Sequence, residues 1–142
     1  MTLTQRYQWA YGTAVVLTTA AYAVWLAIQL SQRPAADIDF TRALITTLIA
    51  SFVIHTFARG SARGGVRNED AVTDDRDRAI NERGDALTFY VFSGLAAVPL
   101  ALGLANVDPF WITNSLFFAF ALAAIFGIVA KSVLYGHHLK EF

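Results

Sequence analysis

Cysteine is absent from this chain, which excludes disulfides, thiolate metal sites and a thiol nucleophile and leaves the redox compartment undetermined. Charge is sparse as well. Asp, Glu, Lys and Arg supply 15% of the 142 residues and cancel to zero net charge. No such residue falls within 7–30, 43–58, 86–107 or 109–130. Proline is confined to Pro34, Pro99 and Pro109. What the chain does have is hydrophobic content, at 56% and a mean hydropathy of +0.45, too apolar for an ordinary soluble domain of this size.

A helix needs roughly 20 residues to cross about 30 Å of hydrocarbon. Three of the four uncharged stretches reach that length and the second is short. It is expected to borrow from residues 39–42 and from Arg59, whose long side chain can snorkel to the head groups. The first run is longer than the roughly 7–15 apolar residues of a signal-peptide core, and no small-residue cleavage site precedes Arg33-Pro34, so it reads as a retained helix. The expected architecture is all-α: a four-helix transmembrane bundle forming one integral membrane domain over 1–142, with spans at about 7–30, 39–59, 86–107 and 109–135.

Lys and Arg outside the uncharged stretches are distributed unevenly. Arg6, the six arginines of 59–83, Lys131 and Lys140 fall on one side, and only Arg33 and Arg42 on the other. The positive-inside tendency places both termini and a loop and helix at 60–85 in the cytoplasm, in a multi-pass protein of the inner (cytoplasmic) membrane. So strong a bias argues against insertion in both directions.

The connections carry their own signals. In "SQRPAADIDF", Pro34 is a helix stop and Asp37 or Asp39 a candidate N-cap. "NVDP" predicts a tight turn, with Asp108 capping and Pro109 at the first helical position, making the third and fourth helices an antiparallel hairpin. "RGSARGGVRNED" reads as a flexible basic loop suited at most to lipid head groups, without support for nucleic acid. From Thr73 the pattern becomes helical: Thr73 or Asp74 can cap, Asp74, Asp75 and Asp77 suit the helix dipole, and Asp74–Arg78 and Arg78–Glu82 are spaced to pair. A stripe of Arg76, Ile80, Gly84, Thr88 and Phe92 then runs without a break into the third span. Aromatic side chains mark two expected interfacial belts, Tyr7, Trp9, Phe89, Tyr90 and Tyr135 on the inside and Trp25, Phe110 and Trp111 outside. Ala119, Ala123 and Gly127, and likewise Ala10, Ala14 and Thr18, recur every four residues, the arrangement that lets helices approach closely. Pro99 is expected to kink the third helix.

Four kinds of chemistry present themselves. Asp70, Asp74, Asp75 and Asp77 could hold magnesium against a diphosphate, but no second acidic motif is present and neighbouring arginines neutralise them, so a solvated, self-paired helix end is the alternative. His55 is the ionisable residue within an apolar run, a functional candidate by position, with a neutral histidine bonded to a nearby hydroxyl as the plainer account. His137-His138 could ligate a metal, but adjacent residues diverge on a helix and their level lies beyond Lys131, which argues against pairing with His55 to hold a haem. A coupled transporter would want a charged residue inside a span. A passive pore lined by Thr46, Thr47, Ser51, Thr113, Asn114 and Ser115 is open, as is simple hydrogen bonding of these groups within and between helices.

At "DDRDRAINERGDALTF" the chain resembles a family of small prokaryotic predicted membrane proteins of unknown function. Their pattern is an Asp-Glu-Arg segment, an isoleucine four residues after the arginine, a small residue four further on and a Thr-Phe pair entering the next span. The matching positions here are Asp74, Asp75, Arg76, Ile80, Gly84, Thr88 and Phe89, with Asp75 where the family usually has glutamate. The resemblance implies membrane location and four-helix layout and no chemistry. Asp74, Asp75, Arg76, Ile80, Gly84 and Thr88 are accordingly expected to form an interaction surface, docking the charged helix on the bundle or on a second subunit. The leading function is association, as accessory, regulatory or self-assembling partner, in a homo-oligomer or with another membrane protein, without cofactor. A small homo-oligomeric pore or carrier is second, and a magnesium-dependent lipid-modifying enzyme third.

Overall fold

The computed structural model describes the backbone of residues 3–63 and 75–138, and side chains over 9–54, 56–57 and 78–135. Among the described residues the chain is all-helical: α1 (Leu3–Gln32), α2 (Thr41–Arg63), α3 (Asp75–Leu104) and α4 (Pro109–His138), with a short 3-10 turn at Ala35–Asp37. Helices are the expected form, because a chain in hydrocarbon must satisfy its backbone hydrogen bonds internally. Three helices are long and apolar enough to cross a membrane, over Trp9–Gln32, Arg78–Leu104 and Pro109–Tyr135. Among the residues with described side chains, the apolar part of α2 is shorter, Thr41–Ile54.

The α3–α4 turn is built by local rules. Asn106 takes a positive φ of 53°, and its N–H reaches the Gly103 carbonyl at 3.1 Å while the Val107 N–H reaches Leu102 at 3.1 Å. These two bonds form a Schellman motif that satisfies carbonyls at the end of α3. Asp108 then caps α4, its Oδ1 accepting from the Phe110 N–H at 2.8 Å, with Pro109 as the first helical residue. Residues 105–107, assigned to the third span from sequence, therefore belong to the turn. Pro99 lies inside an uninterrupted α3.

The other short connection differs from expectation. α2 begins at Thr41, and the Phe40 carbonyl accepts from the Leu44 N–H at 2.8 Å. Asp37 ends the 3-10 turn and Asp39 precedes the cap position. Burial rather than side-chain capping sets this loop, since Ile38 is buried with Tyr22, Leu26, Leu44 and Phe110, and Phe40 packs alongside. Phe40 meets Phe110 edge to face, ring centroids 5.3 Å apart.

Helix packing runs in the order α3–α4–α1–α2. Gly12 of α1 faces Ile128 of α4, close enough that an added Cβ would lie 3.0 Å from the Ile128 Cδ1. Further along, Tyr22 of α1 bonds Asn114 of α4. Early residues of α1 thus lie beside late residues of α4, and the two connections gather at the opposite end.

Two aromatic residues assigned to interfacial belts are inside. Phe110 is 1% exposed and Tyr135 is buried, whereas Trp9, Phe89, Tyr90 and Trp111 are exposed. Periodicity places a ring at a depth but does not say which way it faces.

Candidate functional site

The densest meeting of polar groups with close helix packing lies where α3 and α4 pair, far from their turn. Asp85 stands 23 residues before Asp108 and Lys131 stands 23 after it, so an antiparallel hairpin brings them level. The Lys131 Nζ donates to Asp85 Oδ1 at 2.7 Å, with the Lys131 side chain 17% exposed and that of Asp85 71%. Gly84 lets this happen. It is buried, and a Cβ placed on it would meet the Lys131 stem, including Cε at 2.7 Å. The methylenes of Lys131 therefore lie across the bare backbone of α3 and the ammonium emerges beside Asp85, a snorkelling geometry.

One helical turn deeper the arrangement inverts. Gly127 of α4 is the bare surface, and Thr88 of α3 is the residue seated on it: a Cβ on Gly127 would collide with Thr88 Oγ1 and approach Cγ2 at 3.3 Å. Thr88 Oγ1 donates to the Gly84 carbonyl at 2.7 Å, so its hydroxyl is satisfied within α3 while its methyl fills the seam. Ile80, Ala119 and Ala123 are also buried. Of the stripe read from sequence, Gly84 and Thr88 thus meet α4, and of the small residues on the fourth helix, Gly127 meets α3.

A groove of about 650 Å³ opens beside this seam, between α1, α3 and α4. Asp85 and Lys131 stand at one end. Thr88, Ala124 and Ile128 line its length, and Phe92 and Phe120 stand at the other end, stacked with centroids 4.5 Å apart. Tyr11 of α1 contributes the third wall. A second groove, of about 370 Å³ between α1, α2 and α4, includes Thr18, Thr19, Ser51 and Thr113 in its lining.

Several polar groups within the apolar stretches are tied to protein partners. The Tyr22 hydroxyl and the Asn114 Oδ1 are 2.6 Å apart, and Asn114 Nδ2 donates to the Phe110 carbonyl at 2.8 Å. Ser51 of α2 donates to Thr18 of α1 at 2.9 Å, and Thr18 in turn donates to the Ala14 carbonyl. Thr46, Thr47 and Ser115 donate to carbonyls of their own helices.

The remaining sequence candidates fall elsewhere. Asp70 and Asp74 lie outside the described residues, and so do the side chains of Asp75, Arg76 and Asp77 at the start of α3, of His55 in α2 and of His137 and His138 at the end of α4. Arg78 and Glu82 form the expected i,i+4 pair at 3.3 Å, fully on the surface. The distribution of charge along the chain does not reveal the Asp85–Lys131 pair, because the two residues belong to segments far apart in sequence. Counting outward from the "NVDP" turn would have found it.

Among the described residues the protein is all-helical, with three helices long and apolar enough to cross a membrane. No family model, curated protein or solved structure matches the chain.

Proposed function

We propose that the protein is a four-helix, multi-pass protein of the cytoplasmic membrane, with both termini in the cytoplasm, that acts by association rather than catalysis. It serves as an accessory, regulatory or self-assembling partner, within a homo-oligomer or beside another membrane protein. The observation that carries this reading is α2. Its uncharged stretch, 43–58, is shorter than the other three, it packs chiefly on α1, and it exposes Ile45, Ile49 and Phe52. A span too short for the hydrocarbon thins the bilayer, snorkels its ends or oligomerises, and a helix at the edge of the row is placed to take a neighbour. The nine-to-two distribution of basic residues supports the orientation, and the resemblance at 74–89 accords with a small prokaryotic membrane protein without assigned chemistry.

The test is native mass spectrometry of the full chain extracted in lipid particles, with and without magnesium. A discrete homo-oligomer, or a stoichiometric second protein, is the expected result. A bare monomer under all conditions would overturn association, and a magnesium-dependent diphosphate adduct would restore the enzyme reading. The groove carrying Thr18, Thr19, Ser51 and Thr113 favours one second reading, a small pore, which predicts solute flux through the purified oligomer in vesicles.

A further inference from the structure

We propose that the groove between α1, α3 and α4 is a phospholipid site, with one acyl chain along its length and the lipid phosphate on the Lys131 ammonium. Three observations lead there. The first is length. On α4 the lining runs from Phe120 to Lys131, which at 1.5 Å per residue is about 16 Å, close to half of the ~30 Å hydrocarbon thickness. That is the reach of one leaflet's chain. The second is polarity. The charges lining the groove, Lys131 and Asp85, stand together at one end, while the stacked Phe92 and Phe120 rings stand at the other. An amphiphile with a charged head and a long apolar tail matches that order. The third is the state of Lys131: Asp85 engages one donor of an ammonium that has three. Its stem is held across Gly84, so the ammonium is positioned in advance and little freedom is lost when a phosphate arrives. The volume of about 650 Å³ falls within the ~300–1,000 Å³ of small-molecule pockets.

The proposal rests on membrane placement and not on the association reading. Both are read in one native mass spectrum, subunit number testing association and adduct mass testing the lipid. The probe is dipalmitoyl phosphatidylglycerol added to the full chain in detergent, with the diacylglycerol of the same chains as the phosphate-free control. The wild-type protein is expected to retain one phosphatidylglycerol per subunit without magnesium. Lys131→Gln should weaken retention about tenfold, the loss of one charge-assisted hydrogen bond, and leave the weaker diacylglycerol binding unchanged. Asp85→Asn keeps the ammonium and should hold or raise retention, which separates a phosphate contact from a merely structural ion pair. Ala124→Phe, which fills the groove, should lower retention of both lipids. No adduct on the wild-type protein, equal retention by Lys131→Gln, or equal losses in Lys131→Gln and Asp85→Asn would each overturn the site.

Discussion

Gly84 lies beneath the aliphatic stem of Lys131, so that a residue from α3 with no side chain determines where a charge on α4 emerges. Two opposing effects meet at this glycine. Replacing a helix-interior glycine by alanine gains up to ~1 kcal/mol in helix propensity, whereas forcing atoms into an occupied seam costs about 1–3 kcal/mol. Three consecutive carbons of the Lys131 stem, the Cγ next to the α4 backbone among them, stand where the added methyl would lie, so the whole side chain must move and Gly84→Ala is predicted to be net destabilising, with the Asp85–Lys131 contact displaced. Gly84→Leu cannot be accommodated by a rotamer change alone and should destabilise by at least ~1–3 kcal/mol. Gly94 and Gly103 of the same helix have open space where a Cβ would stand, so alanine there should be neutral or mildly stabilising. Thermal unfolding in one detergent reads all four variants, and an unchanged Tm for Gly84→Leu would remove the seam from the account.

Thr88 and Gly127 are the same contact with the roles of the helices exchanged, and they predict a coupling. Gly127→Ala places a methyl against the Thr88 hydroxyl and methyl and should destabilise. In a Thr88→Ala background those two groups are gone, and the same substitution should cost less. Directly packed residues show coupling energies of about 0.5–3 kcal/mol in double-mutant cycles. A cycle that sums to zero would mean that α3 and α4 do not approach at this point.

How far these contacts were readable beforehand depends on their range. The cap at Asp108, the proline at 109 and the Arg78–Glu82 pair follow from local spacing and stand as read. Gly84 in the stripe of the third helix and the small residues of the fourth signal close packing, because in lipid such packing replaces the hydrophobic drive, yet spacing alone does not say that Gly84 faces Lys131 and Gly127 faces Thr88. That pairing needs the register of the hairpin, which the tight turn supplies. The connection at 33–40 departs from its sequence signals for a complementary reason: Asp37 and Asp39 offer caps, but Ile38, buried, and Phe40, packed against the same cluster, lie where the backbone turns into α2.

Tyr22 and Asn114 form a hydrogen bond that ties α1 to α4 within the apolar layer. Tyr22→Phe leaves the Asn114 carbonyl oxygen without that partner in a buried position. Interhelical bonds of this kind in membranes average about 0.6 and reach about 1.7 kcal/mol, so a loss toward the upper value is expected. Replacing both ends, Tyr22→Phe with Asn114→Leu, removes the orphaned group and should recover much of the loss, since the cost lies in leaving a buried polar atom unmatched. If the double variant is less stable than Tyr22→Phe alone, the Asn114 bond to the Phe110 carbonyl carries more of the stability than the bond between helices.

Phe110 and Trp111 are adjacent and equally aromatic, and their predicted sensitivities differ because the first is 1% exposed and the second 45%. The Phe110 ring is held edge to face by Phe40 from the loop before α2 and by Trp111 beside it, and it belongs to the cluster of Tyr22, Leu26, Ile38 and Leu44. It therefore joins α4, α1 and the start of α2 at the end of the molecule where both connections lie. Phe110→Ala should cost about 3–5 kcal/mol, the range for a buried aromatic replaced by a cavity. It should also loosen α2, measurable as faster proteolysis in the 33–40 connection. Trp111→Ala removes a ring that faces outward and should change unfolding by less than ~1 kcal/mol, while weakening the hold of α4 at the lipid interface. Equal losses at the two positions, read by thermal unfolding in bilayer particles, would return Phe110 to the interfacial belt and take away the contact that fixes α2 against the rest of the protein.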